Sequence, residues 1–215
     1  SAFAELIKVE NTTEETSCSE LDHVFKSQLD LKGITTEDSS KKFKFIHLNG
    51  AHVPYIYDKD MNIINEWDGT YEQSTQATLV GAMDYIEQLR NSGAYDNTAI
   101  IVMSDHGFNG SLEESGDEAW MRQCPLLMVK GFDETHETMQ ISQAPISFED
   151  LQEAYVRLLD GKQSDAVFDW KEGDVRERRF LRYSFLDDSH MQEYMQTGYA
   201  SDMDTMIPTG REYNR

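Results

Sequence analysis

The sequence predicts an α/β domain: a mostly parallel, doubly wound sheet with flanking helices. Three observations carry that expectation. Ala99–Met103 is a continuous apolar run rich in branched residues, as suits a strand buried on both faces, and it stops abruptly at Ser104-Asp105-His106-Gly107. Helical periodicity from Thr70 to Asn91 leads into it through a short turn at Asp96-Asn97. A second strand-like run, Phe43–Leu48, ends in the same manner at Asn49-Gly50-Ala51-His52. Helix, tight turn and buried strand in succession are the units from which doubly wound sheets are built.

Taken in order, residues 1–42 read as a polar lead-in, with a loop over Asn11–Ser19. Within it Leu21, Val24, Phe25, Leu29 and Leu31 follow helical spacing, and Gly33 is placed to cap that helix. Thr35–Lys42 is a charged connector. Residues 43–185 read as the core. Phe43–Leu48 is its first strand, with His47 inside it as a satisfied core histidine and His52 beyond it on a loop, where a functional role is more at home. Pro54 ends any ladder there.

Tyr57–Thr70 is a polar loop containing Trp67. In the long helix that follows, Tyr71, Thr75, Thr78, Leu79, Ala82, Met83, Ile86 and Leu89 form the expected inward stripe, and Ser92-Gly93 ends it. Glu113, Glu114, Asp117 and Glu118 read as a solvated acidic face on the segment after Gly107. Pro125–Val129 is a further buried strand. Ser147 with Asp150 opens a helix through Leu151, Ala154, Tyr155, Leu158 and Leu159 to Gly161. Phe180–Phe185 is a late strand, and residues 186–215 a polar tail.

Composition limits the function. The 215 residues carry a formal charge of −21, which opposes nucleic acid and polybasic membrane contacts, because phosphates are held by clustered Lys and Arg. Cys18 and Cys124 have no CxxC spacing and give neither a zinc finger nor a disulfide framework. No apolar run of membrane-spanning length is present, so no direct membrane segment is expected in this chain.

The chemistry concentrates at the two strand ends. A carboxylate beside an imidazole, Asp105 and His106, at the carboxyl end of a central strand suits a divalent metal, although such pairs also cap helices and satisfy turns.

In HLNGAHVPY (His47–Tyr55), the long helix with Asp84, YDNTAIIVMSDHG (Tyr95–Gly107) and RQCPLLMVKG (Arg122–Gly131), in that order, the chain resembles the sulfatase-like branch of the alkaline phosphatase superfamily. That branch includes aryl sulfatases, phosphoethanolamine transferases and lipoteichoic acid synthase-like phosphoglycerol transferases. The resemblance covers about Phe43–Gly161. It implies that Asp105 and His106 bind a catalytic divalent metal (Mn, Mg, Zn or Ca). It gives His52 a catalytic and substrate-binding contact with the transferred phosphate or sulfate, and makes Arg122 the one cation available as a basic substrate ligand between Gly107 and Val129.

The implied substrate is a phosphate or sulfate ester, such as a lipid headgroup or glycan. The implied setting is the extracytoplasmic domain of a membrane-anchored bacterial parent, and the tail RYSFLDDSHMQEYMQTGYASD leans the reading toward phosphoglycerol or phosphoethanolamine transfer. The family's nucleophile lies in an earlier strand-to-helix unit, and nothing before Phe43 has that pattern. Cys18 lacks the C-x-P-x-R context, and Thr35 and Thr36 sit in the charged connector. The chain is therefore expected to be the C-terminal half of a catalytic domain, with its nucleophile outside it. The alternative is a catalytically inactive binding module or pseudoenzyme that keeps the α/β fold.

Overall fold

The computed structural model describes residues 21–36, 41–65, 68–108, 123–184 and 187–214. The chain divides into two compact units, Ser1–Tyr95 and Asp96–Arg215. The division falls inside the stretch read from sequence as one core.

In the first unit, α1 spans Leu21–Lys32, with Asp22 in its first turn and Lys32 in its last, both favourable to the helix dipole. Gly33, at φ +65°, closes it by donating to Leu29 O at 2.9 Å. The second helix, α2, spans Tyr71–Asn91. Thr70 and Gln73 form a reciprocal capping box, Gln73 N donating to Thr70 Oγ1 (3.2 Å) and Thr70 N to Gln73 Oε1 (3.1 Å).

The buried face of α2 is Ser74, Ala77, Gly81 and Leu89, while Met83 is exposed. Leu89 is inward as expected, but the rest of the buried face is made of small residues, where hydrophobicity alone selects larger ones. The reason is Met61, whose side chain plugs that face with Tyr57: a Cβ on Gly81 would stand 3.0 Å from Met61 Cε. Met61 sits at φ +64° and is only 1% exposed, so its burial offsets an unfavourable backbone conformation. The turn that aims it is held by Asp58 Oδ1, which accepts from Asp60 N and Asn62 N, both at 2.9 Å. The two helices are joined by Lys26–Asp84 (3.0 Å) and by Gln88 Nε2 donating to Leu29 O (3.1 Å).

Phe43–Leu48 contains one bridge residue, Phe43, and no strand. Phe43, Phe45 and His47 are exposed, so His47 is not a core histidine. The alternation is strand-like, but a strand also needs a neighbour to take up its N–H and C=O groups, which composition does not reveal.

In the second unit, β1 (Ile100–Met103) pairs with β2 (Leu127–Lys130) in antiparallel register, Ile101 opposite Val129. This corrects the expectation of parallel pairing there. A continuous apolar run reports burial and not strand direction. Nor are both faces fully buried: the β2 residues are half-buried, and in β1 Met103 is exposed. One face is covered by α3 (Leu151–Leu159), where Ala154 and Leu158 pack with Val167 against Ile101 and Val129. A 3-10 turn, Phe148–Asp150, leads into α3, and Ser147 N donates to Asp150 Oδ2 at 2.8 Å.

The expected tail is instead mostly sheet. Strands β3 (Arg178–Ser184), β4 (Asp187–Gln196) and β5 (Met206–Asn214) form an antiparallel meander in the order β3-β4-β5. The register shifts between Gln192 and Tyr194, and there Glu193 collects Arg179 Nη1 (2.8 Å), Thr209 Oγ1 (2.9 Å) and Tyr213 OH (3.1 Å). Phe180 stacks on Tyr194 with ring centroids 6.0 Å apart. The fold is α/β in the sense that it combines helices with sheets. Both sheets among the described residues are antiparallel.

Candidate functional site

Asp105 and His106 follow β1 directly. Ser104 anchors them by extending the ladder one residue past the strand: its N–H donates to Leu126 O (3.1 Å), and its Oγ accepts from Leu126 N (2.8 Å). The next residues leave the sheet into solvent. The Asp105 side chain is 89% exposed and that of His106 37%.

Two local hydrogen bonds orient them. Asp105 Oδ1 accepts from His106 N at 2.9 Å, leaving Oδ2 for other partners. His106 Nδ1 lies 2.6 Å from Gly107 O, an acceptor that assigns the proton to Nδ1 and the lone pair to Nε2. Nε2 stands 3.8 Å from Asp105 Oδ2.

Both atoms are electron-rich and reach solvent. Metal–nitrogen and metal–oxygen bonds of about 2.1 Å each span up to about 4.2 Å, so one ion can reach both atoms. Histidines that bind a metal through one ring nitrogen commonly donate the other N–H to a carbonyl or carboxylate, which fixes the ring. Asp105 Oδ2 and His106 Nε2 could supply two of a divalent ion's ligands. Among the described residues, no group of three or more His, Cys, Asp or Glu is placed to hold a metal.

His52 belongs to the first unit. It is exposed, on the loop after Asn49-Gly50, and its Nδ1 lies 2.6 Å from Val53 O. The proton is again assigned to Nδ1, so Nε2 is the presented atom. The loop is held by Asp22, a side chain that sequence reasoning missed. Asp22 is 2% exposed, and its two oxygens accept from Asn49 N and Gly50 N, each at 2.8 Å. Burial pushes the Asp22 carboxyl above the usual carboxylate range, while the two amides and His47 pull the other way. The only sequence signal was an acidic residue in the first turn of a helix, which reads equally well as a dipole partner.

Arg122 and the acidic group Glu113–Glu118 lie outside the described residues, as do Cys18 and Trp67. Cys124 is a free thiol, half-buried, donating to Ala200 O at 2.8 Å, and burial raises its pKa. Sequence reasoning also missed Glu134, which is 8% exposed and gathers hydrogen bonds from Gly131, Ser164 and His136. No family model, curated protein or solved structure matches the chain.

Proposed function

We propose that this chain is part of a metal-dependent hydrolase or transferase acting on phosphate or sulfate esters, within the sulfatase-like branch of the alkaline phosphatase superfamily. The reading favours phosphoglycerol- or phosphoethanolamine-type transfer and an extracytoplasmic, membrane-anchored parent. It includes a larger, mostly parallel doubly wound sheet, to which the antiparallel β1–β2 pair would be attached. Among the described residues, no helix is long and apolar enough to cross a membrane.

The observation that carries the reading is the geometry at the end of β1. His106 Nδ1 is committed to Gly107 O, and Nε2 faces Asp105 Oδ2 at 3.8 Å. In this reading Asp105 and His106 are metal ligands. A bound divalent ion supplies Lewis-acid stabilisation of an anionic ester oxygen. His52, with Nε2 presented on an exposed loop, contacts the transferred anion, and Arg122 is a basic substrate ligand. A protonated imidazole at His52 can donate to charge developing on the ester oxygen or its leaving group. The nucleophile is not assigned to any described residue.

The test is calorimetric titration with Mn²⁺ and with Zn²⁺ on the wild-type chain and on His106→Ala. It is read beside the imidazole ¹⁵N signals of His106. The expected result is weak binding, because tight sites use three or four protein ligands. That binding should vanish in His106→Ala and shift the Nε2 signal. A His106 ring untouched by either metal at millimolar concentration would refute the metal assignment. It would leave the alternative, a catalytically inactive binding module or pseudoenzyme.

A further inference from the structure

We propose that Asp22 is the positioning residue of the His52 loop, fixing where the imidazole is presented. This rests on the reading of His52 as the anion-contacting group.

Asp22 is among the most completely buried side chains described, and both of its oxygens are taken up by consecutive backbone amides of the loop. Gly50, the second of these, adopts φ +66°, a conformation that side-chain-bearing residues rarely hold. A Cβ there would meet Thr78 at an ordinary 3.7 Å, so conformation and not space is what requires glycine.

His52 follows two residues later. The next residue of α1 takes the far end of the same segment. His23 N donates to Tyr57 OH (3.2 Å), and His23 Nδ1 lies 3.2 Å from Met61 O. Consecutive residues in the first turn of α1 thus pin residues 49–50 and residues 57–61, and between the pins His52, Val53 and Pro54 are exposed.

Burying a carboxylate is costly for folding unless its hydrogen bonds are met. Here they are met by the loop. A loop so close to solvent would otherwise sample many backbone states, and a catalytic or binding imidazole gains most from being held in one.

The experiment uses the whole chain, as wild type, Asp22→Asn and Gly50→Ala. The second variant disturbs the same contact from the loop side and leaves the carboxylate in place. Three readouts are taken: amide exchange at Asn49, Gly50 and the core residue Ala77; the ¹⁵N tautomer signature of His52; and the shift of His52 signals on titration with inorganic phosphate.

The expected result in both variants is exchange at Asn49 and Gly50 faster by tenfold or more. The Nδ1–H signature of His52 averages, and phosphate affinity at His52 falls at least fivefold, while Ala77 protection holds. Unchanged exchange and an unchanged His52 signature in folded Asp22→Asn would overturn the proposal. So would a loss of Ala77 protection in step with the loop in both variants, which would make Asp22 a residue of general stability. If the variants loosen the loop but phosphate moves no His52 signal even in the wild type, the positioning role stands and the anion-contact reading of His52 fails.

Discussion

Replacing Glu134 tests the physical account of the second unit most sharply. The side chain is 8% exposed and joins two stretches distant in sequence. Gly131 N donates to Oε2 at 2.5 Å, Ser164 N to Oε2 at 3.1 Å, and His136 Nε2 lies 3.2 Å from Oε1, which Ser164 Oγ also contacts. Gly131 is glycine because a Cβ would stand 3.0 Å from Lys162 O, Gln163 Cα and Glu134 Oε2 alike.

Burial alone would raise the Glu134 pKa. The donors outweigh it and hold the carboxyl at about 2, against an ordinary 4.5. A folded-state pKa below the unfolded one contributes stability that is present above pH 4.5 and is lost as pH falls toward 2. Linkage gives a contribution of about 3 kcal/mol at pH 5 and about 1.4 kcal/mol at pH 3. Glu134→Gln removes the ionisation and keeps the volume, so the stability difference from wild type should shrink by about 2 kcal/mol between those pH values. Because the chain has two compact units, the assay is residue-level hydrogen exchange at Gly131 and Ser164, not one global unfolding curve. A wild-type-minus-variant difference that is flat from pH 5 to pH 3 would refute the charge-based account. Glu134→Ala, which strands two backbone donors, should cost about 3 to 5 kcal/mol at neutral pH.

Other positions give independent checks. A Cβ at Gly69 would overlap the Tyr55 carbonyl oxygen, so Gly69→Ala must move backbone; loss of about 3 kcal/mol or more in the first unit is expected by exchange at Ala77. Met61→Ala empties the plug against Ala77 and Gly81, and amide exchange at Ala77 should show a loss of about 2 to 4 kcal/mol. Thr70→Ala removes one half of the α2 capping box and should cost about 1 kcal/mol, read as faster amide exchange confined to the first turn of the helix.

Local signals in the sequence were legible where the physics is local. The extents of α1 and α2, the Gly33 cap and the start of α3 at Ser147–Asp150 follow from spacing and capping chemistry. What the sequence hid depends on partners far along the chain. The apolar pattern of Ala99–Met103 gave a strand but not its antiparallel neighbour. Phe43–Leu48 has strand composition and no ladder. Met61 lies in a stretch that reads as polar loop, and the small-residue face of α2 makes sense only once that methionine is seen against Gly81. The region read as a tail carries Met191, Tyr194, Met195, Met206 and Ile207 among charged residues, and the bulge at Glu193 breaks the alternation that would have marked β4. Of the candidate site, the motif residues were legible as residue types. The groups that hold them, Ser104 Oγ and Asp22, were not, because a hydroxyl and a helix-start carboxylate have many uses.

The two candidate histidines share a construction that their sequence neighbourhoods do not. Each follows an apolar segment, and each has Nδ1 2.6 Å from the carbonyl of the next residue. Each also stands on a turn fixed by a side chain bonded to backbone: Asp22 to Asn49 and Gly50, Ser104 to Leu126. A carbonyl acceptor at Nδ1 selects the tautomer with its lone pair on Nε2. The hydrogen bond is local, so it survives exposure and moves with the turn. An exposed histidine that only faces water has no need of a fixed ring, whereas one that meets a metal ion or an anionic oxygen needs a defined Nε2 direction. Both rings are oriented by this device. At His106 a carboxylate oxygen, Asp105 Oδ2, faces the same nitrogen, and that is the arrangement a cation would complete.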